Sequence, residues 1–125
     1  MYDKSLVIES LLHIEATLLF ILQRTEEVND PDDFATTPTG MEKLDSATIR
    51  LMATGEEINK IDKRTKGTLL QQYPEIEWKK IIGFRNIVAH AYFDVDATTV
   101  FEIVKNDVAP LLSAIRKILI DIEAK

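Results

Sequence analysis

Apolar residues recur at steps of three and four along most of the chain, the spacing of helices that bury one face. The first such stretch covers about residues 3–27, and its stripe consists of Leu6, Val7, Leu11, Ile14, Leu18, Ile21 and Leu22. Leu12, Leu19 and Phe20 add apolar surface outside this stripe. We therefore expect the first helix to pack on more than one neighbour, inside a bundle or across an oligomer interface.

The next two stretches predict a loop and a second helix. Residues 28–40 contain two prolines and a cluster of turn-forming residues, which indicates a loop. A helix is predicted from residue 41 or 46 to residue 62, with Gly55 in its interior. Because a glycine inside a helix costs about 1 kcal/mol relative to alanine, we favour close helix packing over approach by a partner as its reason. Residues 63–73 are predicted to be a short helix or an irregular link.

The remaining pattern predicts two more long helices. Pro74 suits the first position of a third helix, which is expected to fade over residues 89–92. Asp96 is the predicted N-cap of the last helix, and Pro110 within that helix indicates either a kink or a division into two helices at residues 107–109. No segment alternates as a half-buried strand would. The predicted fold is a single all-α domain, an up-and-down bundle of four main helices.

Composition narrows the chemistry. The chain has 125 residues, which suits one domain, and it contains no cysteine, so disulfides, thiolate metal sites and a cysteine nucleophile are excluded. Glu9, His13 and Glu15 interrupt the first apolar stretch, which argues against a signal peptide and a membrane span. No glycine-rich phosphate loop or His-Glu-x-x-His pattern occurs. We expect a cytoplasmic protein without a metal site or a cofactor.

Charge is distributed unevenly along the chain. The total of 15 basic and 21 acidic residues gives a net charge of -6, which taken alone argues against a polyanionic partner. The first fifty residues contain four basic and ten acidic side chains, whereas residues 60–90 contain seven basic and three acidic ones, a net +4. The acidity therefore belongs to the first fifty residues, and the middle of the chain is basic.

The end of the third helix brings four chemically versatile side chains together, because Arg85, Asn86, His90 and Tyr92 lie within eight residues of one another. Helix geometry puts Arg85 and Tyr92 on one side, and Asn86 and His90 on an adjoining side. Arg85 and His90 would point about 140° apart on a straight helix. They can act on one substrate only if the helix unwinds near Ala89 or if a second subunit brings its own copy alongside.

These groups suit cleavage of an RNA phosphodiester without a metal ion. The His90 imidazole can take the proton of a 2′-hydroxyl or give one to the leaving 5′-oxygen, and the Arg85 guanidinium can pair with the phosphate. Asn86 can orient the histidine or the phosphate. His13, amid the first helix, is interpreted as an ordinary surface or partner-facing histidine.

Two other interpretations of the same residues remain open. In one, the protein is a non-catalytic helical subunit whose Arg85 patch binds a nucleotide, an RNA or a protein partner. In the other, Trp78, Phe84 and Phe93 are simply core residues and the polar motif caps a helix.

The longest motif resembles a known family. A Pro-Glu-Ile-x-Trp segment at residues 74–78 leads into the Arg85-Asn86 pair, and an Arg-x4-His-x-Tyr motif ends at Tyr92, followed by Phe and Asp. Together with Gly-Glu-Glu at residues 55–57 and the helical pattern on both sides, this segment resembles the HepT-like ribonuclease toxins of the HEPN superfamily.

The resemblance implies a fold, an activity and a partner. Members are all-α homodimers whose two motifs face each other across the interface, and the motif residues that cleave RNA correspond here to Arg85 and His90, with Asn86 beside them. It further implies a minimal nucleotidyltransferase antitoxin that transfers AMP from ATP to Tyr92. The expected function is therefore that of a metal-independent endoribonuclease toxin silenced by AMPylation, with RNA as its substrate.

Overall fold

The computed structural model describes residues 2–94 and 96–124, and within these ranges the chain contains helices and no strand. Seven α-helices occur in this order: α1 Lys4–Arg24, α2 Asp32–Ala35, α3 Pro38–Arg64, α4 Trp78–Ile82, α5 Phe84–Phe93, α6 Ala97–Asn106 and α7 Val108–Ala124. A short 3-10 helix spans Leu70–Gln72. The predicted all-α class is confirmed.

The first helix lies between α3 and α7. Its stripe of Val7, Leu11, Ile14, Leu18 and Ile21 is almost completely buried, and the helix packs against both α3 and α7. It thus has the two neighbours that were predicted, but these cover the stripe, and Leu12 and Leu19 outside it remain 48% and 37% exposed. By length and composition alone α1 could also cross a membrane, a property that buried core helices share.

The predicted loop at residues 28–40 contains more structure than its turn-forming residues indicate. Phe34 of α2 is fully buried and meets the Phe101 ring edge to face, with centroids 6.5 Å apart. The α3 helix then begins at Pro38, because the Thr37 hydroxyl accepts a hydrogen bond from the Gly40 amide at 2.9 Å and proline is favoured at the first helical position. The predicted start at residue 41 or 46 was too late.

The third helix does not begin at Pro74, which lies in a turn. The Trp78 indole N–H donates to the Tyr73 carbonyl at 2.9 Å, and the Tyr73 hydroxyl donates to Asp121 of α7 at 2.7 Å. These bonds tie the segment to the bundle, so that helix formation starts only at Trp78. The helix is also divided at Gly83 into α4 and α5.

The last predicted helix is divided as well. The Asp96 carboxylate accepts from the Thr98 amide at 3.1 Å, which confirms Asp96 as the N-cap of α6. Val95, in the predicted turn before it, lies outside the described residues. Of the two possibilities at Pro110, division is correct: Asp107 separates α6 from α7, and Pro110 occupies the first turn of α7, where its missing N–H costs little.

Candidate functional site

Helix α5 carries the Arg-x4-His-x-Tyr motif and has one buried face. Phe84, Val88 and Ala91 are buried at steps of four and three, while Arg85, Asn86, His90 and Phe93 are exposed. The helix is intact to its end, since Asp94 N–H donates to the His90 carbonyl at 3.1 Å. It ends at Phe93, one residue beyond the range 89–92 over which it was expected to fade, and it is continuous up to that point.

Gly55 of α3 determines where α5 starts. A Cβ atom added to Gly55 would lie 2.7 Å from the Ile81 carbonyl oxygen and 3.2 Å from that of Ile82. Only a glycine lets the end of α4 approach α3 this closely, which confirms close packing as the reason for this residue. The contact places the first turn of α5 next to Glu56.

Arg85 is exposed but held at one edge. Its Nη1 atom lies 3.2 Å from Oε1 of Glu56, and 65% of its side chain is accessible. A guanidinium has five N–H donors, so a single contact with Glu56 leaves donors for a second anion. Glu56 therefore orients Arg85 without occupying it fully.

His90 lies on the other flank of α5. Its Nε2 atom is 3.0 Å from Oδ2 of Asp94, the residue that caps the end of α5. In this orientation Nδ1 is left toward solvent, and an imidazole bonded to a carboxylate through one nitrogen can exchange a proton through the other. Asn86, one turn before His90, is exposed on the same side.

The structure does not bring Arg85 and His90 together within one chain. Because α5 runs unbroken through Phe93, the two side chains leave it about 140° apart, and each contacts a different acid. Unwinding near Ala89 is excluded as a route to convergence. A second subunit is the remaining route of the two.

Tyr92 faces α3 at the opposite end of the contact between the helices. Hydrogen bonding to the Asp45 carboxylate, followed by the charge of that carboxylate, raises the pKa of Tyr92 above its ordinary value. Asp45 meets Tyr92 and Glu56 meets Arg85, so α3 and α5 run antiparallel. The Tyr92 side chain is 44% accessible and therefore open to modification.

Tyr92 and Asp45 together line two apolar cavities. One, of about 310 Å³, is completed by Thr48, Ile49, Met52, Ala89 and Phe93. The other, of about 250 Å³, is completed by Met41, Leu44, Ala91, Asp96, Ala97 and Val100. The Thr48 hydroxyl is buried without a hydrogen-bond partner among the described residues.

Large apolar side chains surround the first cavity at the surface. Phe93 is 83% exposed and Ile49 is 67% exposed. Exposed apolar residues that adjoin in this way mark contact surfaces. We call Ile49, Met52, Tyr92 and Phe93 the α3–α5 apolar face.

Sequence reasoning missed four of these residues. Asp94 could have been found, because a spacing of four residues places it beside His90 on a helix. Asp45, Glu56 and Ile49 could not, since their positions depend on how α3 packs against α5. No group of three or more His, Asp or Glu side chains suited to a metal ion occurs within the described residues.

Comparison with known proteins supports the resemblance found in the sequence. The family described as Ribonuclease HepT-like matches residues 7–118, which confirms the resemblance carried by the motif. No solved structure matches the chain significantly.

Relatives with curated names come from archaea. The chain is 37% identical to "Putative RNase MJ1216" of Methanocaldococcus jannaschii over 57% of its own length and 55% of that protein, so it spans about half of this relative. It is 29% identical to "Putative RNase MJ1380" of the same organism, over 71% of the chain and 84% of that protein. A third relative, "Probable ribonuclease HepT" of Thermococcus cleftensis, is 30% identical over 61% of the chain and 66% of its own length.

Proposed function

Since this chain belongs to the HepT-like ribonuclease family, we propose that it is a metal-independent endoribonuclease that acts as the toxin of a toxin–antitoxin pair. The observation that carries the proposal is the exposure of Arg85 and His90 on one unbroken helix, each oriented by an acidic neighbour. RNA is the substrate, and the cytoplasm is the place of action.

The active unit of this proposal is a homodimer with the site at its interface. Two features support it: Arg85 and His90 diverge within one chain, and the α3–α5 apolar face is exposed beside Tyr92. Two copies related by a two-fold axis would bury this face and set Arg85 of one subunit near His90 of the other.

Cleavage follows from the two side chains. The His90 imidazole takes the proton of the 2′-hydroxyl, whose oxygen attacks the adjacent phosphorus, and an imidazolium returns a proton to the leaving 5′-oxygen. Arg85 pairs with the phosphate as negative charge builds on it, and Asn86 donates a further hydrogen bond. The products are a 2′,3′-cyclic phosphate and a free 5′-hydroxyl.

Regulation is assigned to Tyr92. A minimal nucleotidyltransferase antitoxin transfers AMP from ATP to the Tyr92 hydroxyl, which lies on the same side of α5 as Arg85. The added phosphate would compete for the Arg85 guanidinium and repel the RNA backbone. Exposure of the Tyr92 side chain supports this role.

The decisive experiment is an RNA cleavage assay in EDTA with the purified, unmodified protein. We expect wild type to leave 2′,3′-cyclic phosphate ends. His90→Ala should lower the cleavage rate at least about 100-fold, the range of general acid–base catalysis. Arg85→Ala should lower it by a similar factor, because it removes the charge that stabilises the transition state. His13→Ala is the matched control, because it removes the other, also exposed, histidine.

Equal cleavage by His90→Ala and wild type would overturn the catalytic role of His90. If neither wild type nor any variant cleaves RNA, but wild type binds it, the protein is the non-catalytic binding subunit.

A further inference from the structure

The Tyr92 hydroxyl has an acidic neighbour that belongs to another helix. Asp45, in the second turn of α3, lines both cavities that flank Tyr92. Its carboxylate is also the group that raises the pKa of the Tyr92 phenol above its ordinary value. The Tyr92 phenol therefore has a carboxylate beside it and is still accessible from solvent.

This carboxylate is free of competing cations. The ion pairs found within residues 2–94 and 96–124 involve other acids, and none of them includes Asp45. The other acids near the motif are engaged: Glu56 pairs with Arg85, and Asp94 pairs with His90. Asp96, which lines the second cavity, accepts hydrogen bonds from Thr98 and Thr99 at the start of α6. Asp45 is thus the carboxylate left to serve Tyr92.

A tyrosine needs such a group to become a nucleophile at neutral pH. The raised pKa of Tyr92 keeps the phenol protonated, and a protonated phenol attacks phosphorus poorly. A carboxylate hydrogen-bonded to the phenol can accept the proton as the oxygen–phosphorus bond forms. The Asp45 carboxylate therefore opposes ionisation of the free Tyr92 phenol but assists its deprotonation during the reaction.

We propose that Asp45 is the general base that activates Tyr92 for AMP transfer, an inference that rests on the proposed modification of this tyrosine. The Tyr92 Oη atom bonds to the α-phosphorus of ATP, and the bond from that phosphorus to the bridging oxygen breaks. Pyrophosphate leaves with the electron pair, and the phenolic proton passes to Asp45 and then to water. The target protein, and not the transferase alone, supplies a catalytic group.

The test measures the rate of AMP addition to the full chain by intact mass, with MgATP and the nucleotidyltransferase antitoxin. Asp45→Asn is expected to lower kcat at least about 100-fold, as loss of a general base does, with the KM for ATP unchanged. Asp45→Glu, which restores a carboxylate on a longer stem, recovers part of the rate. Asp45→Ser provides a second carboxylate-free variant.

Glu42→Gln is the matched control. Glu42 is exposed three residues before Asp45 on the same side of α3, and its replacement removes the same charge. We expect its rate to equal that of wild type. A second readout is the ultraviolet titration of Tyr92, whose pKa should return toward the ordinary 10.0 in Asp45→Asn.

Each outcome decides the proposal. Wild-type rates in Asp45→Asn, an unchanged Tyr92 titration, or an equal loss in Glu42→Gln would overturn the role of Asp45 and leave modification of Tyr92 standing. If wild type itself gains no AMP at Tyr92, the proposed regulation fails and the base fails with it. Ribonuclease activity, measured separately in EDTA, is independent of either result.

Discussion

Three polar side chains of the motif each face a carboxylate, and the three carboxylates come from different places in the chain. Arg85 pairs with Glu56, His90 pairs with Asp94, and Tyr92 lies beside Asp45, which raises the pKa of the phenol. Each pair is largely exposed, so it contributes little to stability, since exposed pairs are worth about 0–1 kcal/mol. Their effect is to fix the direction of each functional group.

A second tyrosine, remote from the motif, gives a prediction for pH. Tyr73 is 4% exposed, and burial, followed by its bond to Asp121, raises its pKa to about 12. In the unfolded chain a tyrosine ionises near pH 10, whereas in the fold Tyr73 stays protonated until about 12. The contribution of the protonated Tyr73 to the free energy of unfolding is therefore present in full below pH 10. It is lost as the pH rises from 10 to 12, and the loss amounts to about 2 to 3 kcal/mol.

Urea unfolding at intervals from pH 8 to 12 measures this loss. Tyr73→Phe cannot ionise, so its free energy of unfolding should fall less steeply than that of wild type over this interval, although it is lower at pH 8. Lysines and the other tyrosines titrate in both proteins and cancel in the difference. Parallel curves for the two proteins would contradict the assignment.

The part of the site that the sequence predicts is the part whose residues are close together in the chain. Arg85, Asn86, His90 and Tyr92 are local in sequence, so their spacing and the angle between them follow from helix geometry alone. Glu56 and Asp45 lie eleven residues apart on α3, about 16 Å along a helix axis, and nothing in the sequence pairs either with α5.

At the scale of elements, Gly55 controls the joint between α3 and the α4–α5 corner. Gly55→Ala places a Cβ 2.7 Å from the Ile81 carbonyl oxygen, a backbone atom that cannot rotate away. We expect the free energy of unfolding to fall by about 1 to 3 kcal/mol, the usual cost of overpacking. Helix propensity alone predicts the opposite sign, a gain of about 1 kcal/mol.

Chemical denaturation separates the two effects. Ala53→Gly, at an exposed position two residues earlier in α3, reports the propensity term alone and should cost about 1 kcal/mol. A stabilised Gly55→Ala would show that α4 does not press against α3. Because this joint also positions Arg85 beside Glu56, RNA cleavage should decline with stability in Gly55→Ala.

The element boundaries show which signals are reliable. Asp96 caps α6 as predicted, because an N-cap is a local bond between neighbours. A proline is also favoured at the first helical position, but Pro74 does not start a helix. The Tyr73 hydroxyl donates to Asp121 of α7 and the Trp78 indole donates to the Tyr73 carbonyl, and these bonds hold the segment in a turn. The periodicity of apolar residues predicted the buried stripes. It did not predict the division at Gly83, because the helices on both sides of this residue keep their apolar faces inward.

Across the whole molecule, the basic middle segment is less positive than its sequence implies. Lys60, Lys80 and Arg85 pair with Glu57, Asp107 and Glu56, all of which lie outside residues 60–90. The charge available to an RNA is therefore smaller than +4 per chain. This favours a small electrostatic footprint, so cleavage should depend on a few phosphate contacts and respond moderately to salt.

The α3–α5 apolar face gives the strongest test of the molecule's assembly. Ile49 on this face and Ile120 on α7 are exposed to nearly the same degree, 67% and 70%. Replacing either by Asp adds the same charge to a similar surface, but only Ile49 lies beside the site. If the face joins two subunits, Ile49→Asp should raise the dimer Kd by about 10- to 100-fold, the value of one buried aliphatic side chain, and Ile120→Asp should leave it unchanged.

Sedimentation velocity over a concentration series measures the Kd, and cleavage assayed on the same samples shows whether activity follows assembly. Because Arg85 and His90 diverge on one helix, the rate per subunit of Ile49→Asp should rise with protein concentration as the dimer re-forms. A monomeric Ile49→Asp that cleaves RNA at the wild-type rate would show that one chain suffices. In that case His90 and Arg85 would have to act on different parts of the RNA, since their directions on α5 prevent both from reaching one phosphate.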